Sequence, residues 1–169
     1  MKILKNAIAG LVIFSLISFL VRYTDDESNL VFKIVIILFV ALFLFSIIVR
    51  KIPWFQPFFT SRINLLTSKF RMQKNYNFTE SILFHKTLEV VGNSGFKIFH
   101  FDESKGIIMA ASNVSWLSWG ENIYISFEES GDNIVMKFCS VSLFGVYSWG
   151  KNEDNYQKLL RNFDESLII

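Results

Sequence analysis

The sequence predicts two joined parts. Residues 1–50 form a membrane α-helical hairpin. Residues 75–169 form an α+β domain, a four-stranded antiparallel meander with two helices packed on one face, in the order α-β-β-β-β-α. Three observations carry this reading. Apolar residues make up 51% of the chain, mean hydropathy is +0.37, and the excess is concentrated before residue 50. Two apolar runs there have bilayer length. Beyond residue 75 the pattern switches from helical to two-residue periodicity, with turn residues between the runs.

The first run, residues 3–21, is apolar except for Lys5, Asn6 and two serines, and the second, residues 30–49, except for Lys33 and Ser46. At 1.5 Å per residue each reaches about 28–30 Å, the thickness of a bilayer core. Lys5 and Lys33 stand near segment ends, where a long stem lets the charge reach the headgroups. A cleaved signal peptide is the rival reading of the first run. No small-x-small site precedes Arg22-Tyr23-Thr24-Asp25, and the run is long for a signal sequence, so a retained anchor is expected. Neither run carries an acid or a Gly-x-x-x-Gly pair, which argues against an ion pathway inside one hairpin. Lys2 and Lys5 flank the first run and further bases follow the second, while the short loop between them holds Asp25, Asp26 and Glu27. The expectation is a multi-pass protein of the cytoplasmic membrane with both termini cytoplasmic.

Residues 51–74 read as a basic, aromatic collar at the membrane interface. Six bases and no acid lie between Arg50 and Lys74. Pro53 and Pro57 stop the preceding helix. Thr60 to Lys74 is expected as an interfacial helix with Ile63, Leu66 and Phe70 on one stripe. The residues assigned to the lipid interface are Arg50, Lys51, Trp54, Phe55, Phe58, Phe59, Arg62, Lys69, Arg71 and Lys74, with the bilayer itself as the partner. From residue 75 onward seven bases face twelve acids, a balance that argues against nucleic acid as a partner.

In the domain, Phe78 to Val91 has a helical period with Leu83, Phe84, Thr87, Val90 and Val91 on one face. Asn77 is a candidate cap, and Gly92 and Gly95 supply the stop. Strands are expected over Phe96–Phe101, Ile107–Ser112, Asn122–Glu128 and Ile134–Ser142, the last two joined by the turn Ser130-Gly131-Asp132-Asn133. A final helix, Glu153 to Leu167, lines up Tyr156, Leu159, Leu160, Phe163 and Leu167. If Ile98, Met109, Ile125, Met136 and Phe138 face the helices, then Phe99, Phe101, Tyr124, Val135, Cys139 and Val141 face away. That second face is too apolar for water, so the loops Trp116–Trp119 and Leu143–Trp149, the collar, or a partner should cover it. Phe99, Phe101, Tyr124, Trp116, Trp119 and Trp149 are the candidate partner surface.

Ser118-Trp119-Gly120-Glu121-Asn122 recurs as Ser148-Trp149-Gly150-Lys151-Asn152. Glycine permits a turn that other residues resist, and tryptophan can pin such a turn to the core, so Trp119 and Trp149 are expected to be buried and Asn152 to cap the last helix. With the first helix, the Gly95-Phe96-Lys97-Ile98 strand start and the turn Asp102-Glu103-Ser104-Lys105-Gly106-Ile107-Ile108, these segments resemble small bacterial helix–four-strand–helix domains of unknown function. The resemblance covers Asn75 to Leu167, does not include the hairpin, and implies no activity or site residues.

No phosphate-binding glycine loop, His-Glu-x-x-His or Gly-x-Ser-x-Gly is present. The single Cys139 excludes an intrachain disulfide and a multi-cysteine metal site. His85 lies on the polar helix face, and the adjacent acids Asp102-Glu103 and Glu128-Glu129 sit in turns. No catalytic residue, metal ligand or cofactor is expected. The expected function is a non-enzymatic interaction module at the membrane, of accessory or immunity type, binding a protein or itself. The alternative is a ligand-sensing effector whose helices oligomerise and perturb the bilayer.

Overall fold

The computed structural model describes residue 18 and residues 30–62, 64, 67–115, 118–143, 145 and 147–167. The expected first span, the loop after it, and Trp116 lie outside the described residues. The chain divides into two compact units, Met1–Phe45 and Ser46–Ile169.

Helix α1, Leu30–Val49, has 20 residues and a mean hydropathy of 3.0 in its most apolar window, and it is the one helix among the described residues long and apolar enough to cross a membrane. Most of its apolar side chains point outward: Val31, Phe32, Val35, Leu38, Phe39, Leu42 and Phe45 are exposed, while Ile36, Val40, Phe43 and Leu44 are half-buried along one stripe. Such a helix has no polar face to give to water.

The second unit is built on a five-stranded antiparallel sheet. After a 3-10 turn at Pro53–Phe55 and a short helix α2, Gln56–Thr60, come β1 (Lys69–Tyr76), α3 (Glu80–Asn93), β2 (Lys97–Asp102), β3 (Ile107–Ala111), β4 (Glu121–Ser130), β5 (Asn133–Ser142) and α4 (Lys151–Leu167). The strand order is β1-β5-β4-β3-β2. An α+β domain is therefore present, but the sheet has a fifth strand that the sequence pattern hid.

That strand, β1, corrects the expected interfacial helix over Thr60–Lys74. It pairs with β5 from Lys69↔Val141 to Tyr76↔Ile134. Phe70 and Tyr76 pack into the core on one side, while Arg71, Gln73 and Asn75 are exposed on the other. The stripe of Ile63, Leu66 and Phe70 fits a helix locally, but eight residues of ladder against β5 outweigh a propensity difference of tenths of a kcal/mol per residue. The element order is therefore β-α-β-β-β-β-α.

On one face of the sheet, Ile108, Ala110, Ile123, Ile125, Phe127, Met136 and Phe138 meet Leu83, Phe84, Val90 and Val91 of α3 and Tyr156, Leu159 and Phe163 of α4. The other face carries a second core: Met109, Tyr124 and Val141 lie under Val49 and Phe59, with Phe55, Phe99, Ile107 and Cys139 packed around them. The collar is thus one cover of the apolar second face. Phe59 is only 1% exposed, a burial worth roughly 1.5–3 kcal/mol.

Two facing assignments are corrected. Met109 pairs with Tyr124 and lies on the collar face, because Ile108, not Met109, aligns with Ile125. Phe101 pairs with Ile108 and lies in the helix-side row, because a bulge at Phe99 between Ile98 and His100 shifts the strand phase by one residue. The cap of α3 is Thr79 rather than Asn77.

Candidate functional site

One end of the sheet gathers the features that depart from a plain structural domain. The loops after β3, after β5 and before β1 meet there: Ser68 N donates to Gly145 O at 2.8 Å, Ser142 N to Ser68 O at 3.0 Å, and Leu143 N to Gly120 O at 3.1 Å. Arg50, the residue after α1, arrives at the same place. Its carbonyl accepts from Asn122 Nδ2 at 3.5 Å, and its guanidinium lies 3.7–3.8 Å from where a Cβ on Gly120 would stand.

Beneath these loops runs a buried polar chain centred on Glu121, which is fully buried. Its carboxylate accepts hydrogen bonds from the Ser112 and Ser118 hydroxyls and from Asn155 Nδ2 at 3.1 Å. Asn155 Nδ2 also donates to Ser140 Oγ at 3.3 Å, and Ser140 Oγ donates to Asn152 Oδ1 at 2.8 Å. Asn152 Nδ2 then donates to Ser142 Oγ at 3.3 Å and to Ser68 O at 3.2 Å. A buried carboxylate persists only when such donors replace water. Burial depresses the Arg50 guanidinium pKa, opposed by the negative potential of Tyr124 and Glu121.

The two Ser-Trp-Gly-x-Asn segments prove to be the same device. Gly120 and Gly150 have φ of +94° and +78°, which only glycine adopts freely. Each turn sends its asparagine inward, Asn122 and Asn152 being fully buried, and its tryptophan outward. The expected burial of Trp119 and Trp149 is thereby overturned: they are 61% and 69% exposed. Asn152 likewise sits within the first turn of α4, its side chain tied to Ser68, Ser140 and Ser142. Trp149 itself has φ +50°, an uncommon state for a bulky residue, and stacks edge-on with Tyr147 at 5.0 Å.

The residues assigned to the lipid interface separate into two groups. Trp54 and Phe58 are exposed, as are Lys51 and Arg62, whereas Phe55 and Phe59 turn onto the sheet. Lys69, Arg71 and Lys74 lie along β1 and bind within the domain. Lys69 Nζ donates to Asn64 O and to Thr67 O, Arg71 donates to Thr60 O, and Lys74 pairs with Asp164 at 2.9 Å. The six bases are therefore not one contiguous collar. Of the candidate partner surface, Tyr124 is buried under the collar and Phe99 is packed there too, because the second core claims them. Phe101 is exposed on β2, and Trp119 and Trp149 are exposed in their loops. The aromatic residues do not form one sheet-face surface.

A groove of about 640 Å³ opens between α4 and residues 112–115, lined among others by Ser112, Lys151, Asp154, Asn155, Lys158 and Arg161. It reaches the Glu121 chain through Ser112 and Asn155. Among the described residues no group of three His, Cys, Asp or Glu could hold a metal ion. His85 Nε2 lies 3.1 Å from Glu103 in an exposed pair. Cys139 is half-buried, and burial raises its thiol pKa, with Arg71 opposing. No protein-family model matches the chain, and no curated protein matches it.

Proposed function

We propose that this protein is a non-enzymatic, membrane-tethered interaction module. Residues 3–21 and α1 cross the cytoplasmic membrane as a hairpin with both termini in the cytoplasm, and the α+β domain receives a protein partner. The observation that supports the anchor is α1, twenty residues without a polar face, with apolar side chains exposed over most of its circumference. Water does not tolerate so large an apolar surface uncovered, and a bilayer covers it. Arg50 and Lys51 follow at once, as expected for a cytoplasmic helix end. The domain is proposed to be of the small bacterial type that Asn75–Leu167 resembles, with the groove along α4 as its partner site. The alternating Lys151, Asp154, Lys158, Arg161 and Glu165 there suit a polar peptide segment better than an apolar ligand.

The test is extraction of native membranes at alkaline pH, followed by cross-linking and co-purification. The full chain should stay in the membrane pellet. Ile37→Lys with Val40→Lys, at about 2.5–3.5 kcal/mol per mid-span charge, should release it. Lys158→Glu with Arg161→Glu should lose the cross-linked protein. Release of the native chain by alkali would overturn the membrane reading. Retention of both chain and partner in the groove variant would overturn the assignment of the groove.

A further inference from the structure

The two ends of the sheet differ in chemistry. At the far end, the β2–β3 and β4–β5 turns and the strand ends beside them carry Asp102, Glu103, Glu128, Glu129 and Asp132 against Lys105 and Lys137, which pair with Asp102 and Glu128. At the near end, the connections 112–120 and 143–150 contain no charged residue at all. The near end is also where the chain enters from α1, since Arg50 touches Gly120 and Asn122. Exposed on that end are Trp119, Tyr147 and Trp149, with Val114 beside the groove, and Trp54 lies just past Arg50 at 81% exposure.

Exposed aromatics with a polar edge are the side chains that settle at the headgroup layer, where the ring leaves water and the N–H or O–H keeps a partner. The backbone is shaped to present them. Both tryptophans precede a glycine of positive φ, and Trp149 holds a positive φ of its own. A residue exposed and yet held in an uncommon conformation points to a use for its direction. Charge agrees with position for the loops themselves: an anionic leaflet repels the acidic far end and admits uncharged loops flanked by Lys51 and Arg62, while the exposed Glu153 and Asp154 in the first turn of α4 limit insertion to the loop tips.

We propose that Trp119, Tyr147 and Trp149 are a second membrane contact, inserted in the headgroup layer of the leaflet from which α1 emerges, so that the domain stands on the bilayer by its loop end with the acidic turns directed away. This rests on the reading of α1 as a membrane span. It assigns the paired Ser-Trp-Gly-x-Asn segments to lipid, with Asn122 and Asn152 as internal ties and the tryptophans as the inserted tips.

The experiment uses the full chain in nanodiscs containing lipid brominated on the upper acyl carbons, a contact quencher of tryptophan. Versions keeping only Trp119, only Trp149 or only Trp54, with the other tryptophans changed to Phe, are compared with the native chain. Trp119 and Trp149 should lose emission to bromolipid about as strongly as Trp54, and should resist quenching by aqueous iodide. If Trp54 is quenched by bromolipid while Trp119 and Trp149 respond only to iodide, the docking proposal is overturned and the anchor stands. If none responds to bromolipid and the chain fails to incorporate, the anchor reading itself falls. Should a single-Trp version lose its native circular dichroism, Tyr147→Cys and Ser148→Cys, each carrying a polarity-sensitive dye in a Cys139→Ser chain, replace it. A blue shift on incorporation supports docking, and an unchanged water-like emission overturns it.

Discussion

Glu121→Ala should be among the most damaging substitutions in the domain. Glu121 is fully buried and accepts from Ser112, Ser118 and Asn155. Alanine leaves three donors without an acceptor, each orphan costing about 1–3 kcal/mol before relaxation. The serine hydroxyls can rotate toward other acceptors, and a water can enter the space, which lowers the sum. Relief of the carboxylate's own desolvation lowers it again. The net loss should be roughly 3–5 kcal/mol, the range seen when one partner of a buried polar network is removed. Glu121→Gln keeps the shape and one acceptor oxygen, and reversed hydroxyls can accept from its amide, so it should lose only about 1–2 kcal/mol. Thermal unfolding of the full chain in one detergent reads both, at about 2–4 °C per kcal/mol for a chain of this size. A double-mutant cycle with Asn155→Ala should show coupling above about 0.5 kcal/mol. A native midpoint for Glu121→Ala, or a Gln variant less stable than Ala, would refute a stabilising role for the buried network.

Further outcomes follow from the same geometry. Phe59→Ala should cost about 3–5 kcal/mol, because it empties the second core, whereas Trp149→Ala should move stability by less than about 0.5 kcal/mol; equal effects in thermal melts would contradict the two burials. Gly120→Ala should destabilise more than Gly106→Ala in the same assay: both have positive φ, but a Cβ at Gly120 meets the Ser112 carbonyl at 3.1 Å, while at Gly106 it meets the movable end of Glu80. Burial raises the phenol pKa of Tyr76 and Tyr124. In a Cys139→Ser chain, the contribution of these phenols to stability should therefore be level below about pH 10 and fall above it, as the unfolded chain releases phenolic protons that the folded chain retains. Tyr124→Phe should make alkaline melts less steep, and an unchanged slope would count against that burial.

Helices α3 and α4, the β4–β5 hairpin and the apolar helix α1 were legible because each carries its own periodicity or turn chemistry. Strand β1 was not. Its only inward anchors are Phe70 and Tyr76, its basic residues match a membrane-surface helix equally well, and pairing with a strand some seventy residues away leaves no local mark. The second apolar face was visible in Tyr124, Cys139 and Val141, and the collar was among the covers considered. What composition could not separate was Phe55 and Phe59, which pack inward, from Trp54 and Phe58, which face out. The repeated Ser-Trp-Gly-x-Asn segments stood out as a pair, but their sense was inverted. The positive φ at each glycine exchanges which neighbour goes inside, so Asn152 joined the buried Glu121 chain, Asn122 was buried against Tyr124 and the Arg50 carbonyl, and the tryptophans stayed outside. Glu121 gave no signal in sequence, because a lone acid before a strand looks like any solvated turn residue.

The most direct measurement is thiol accessibility in intact cells, with cysteines introduced at Ser28 and at Ser130 of a Cys139→Ser chain and a membrane-impermeant reagent outside. A bilayer-spanning hairpin with a cytoplasmic domain labels at position 28, and labels at position 130 only after the membrane is opened. Labelling at 130 but not at 28 in intact cells would contradict that topology, and equal labelling of both sites in a chain that alkali extracts would contradict the membrane anchor itself.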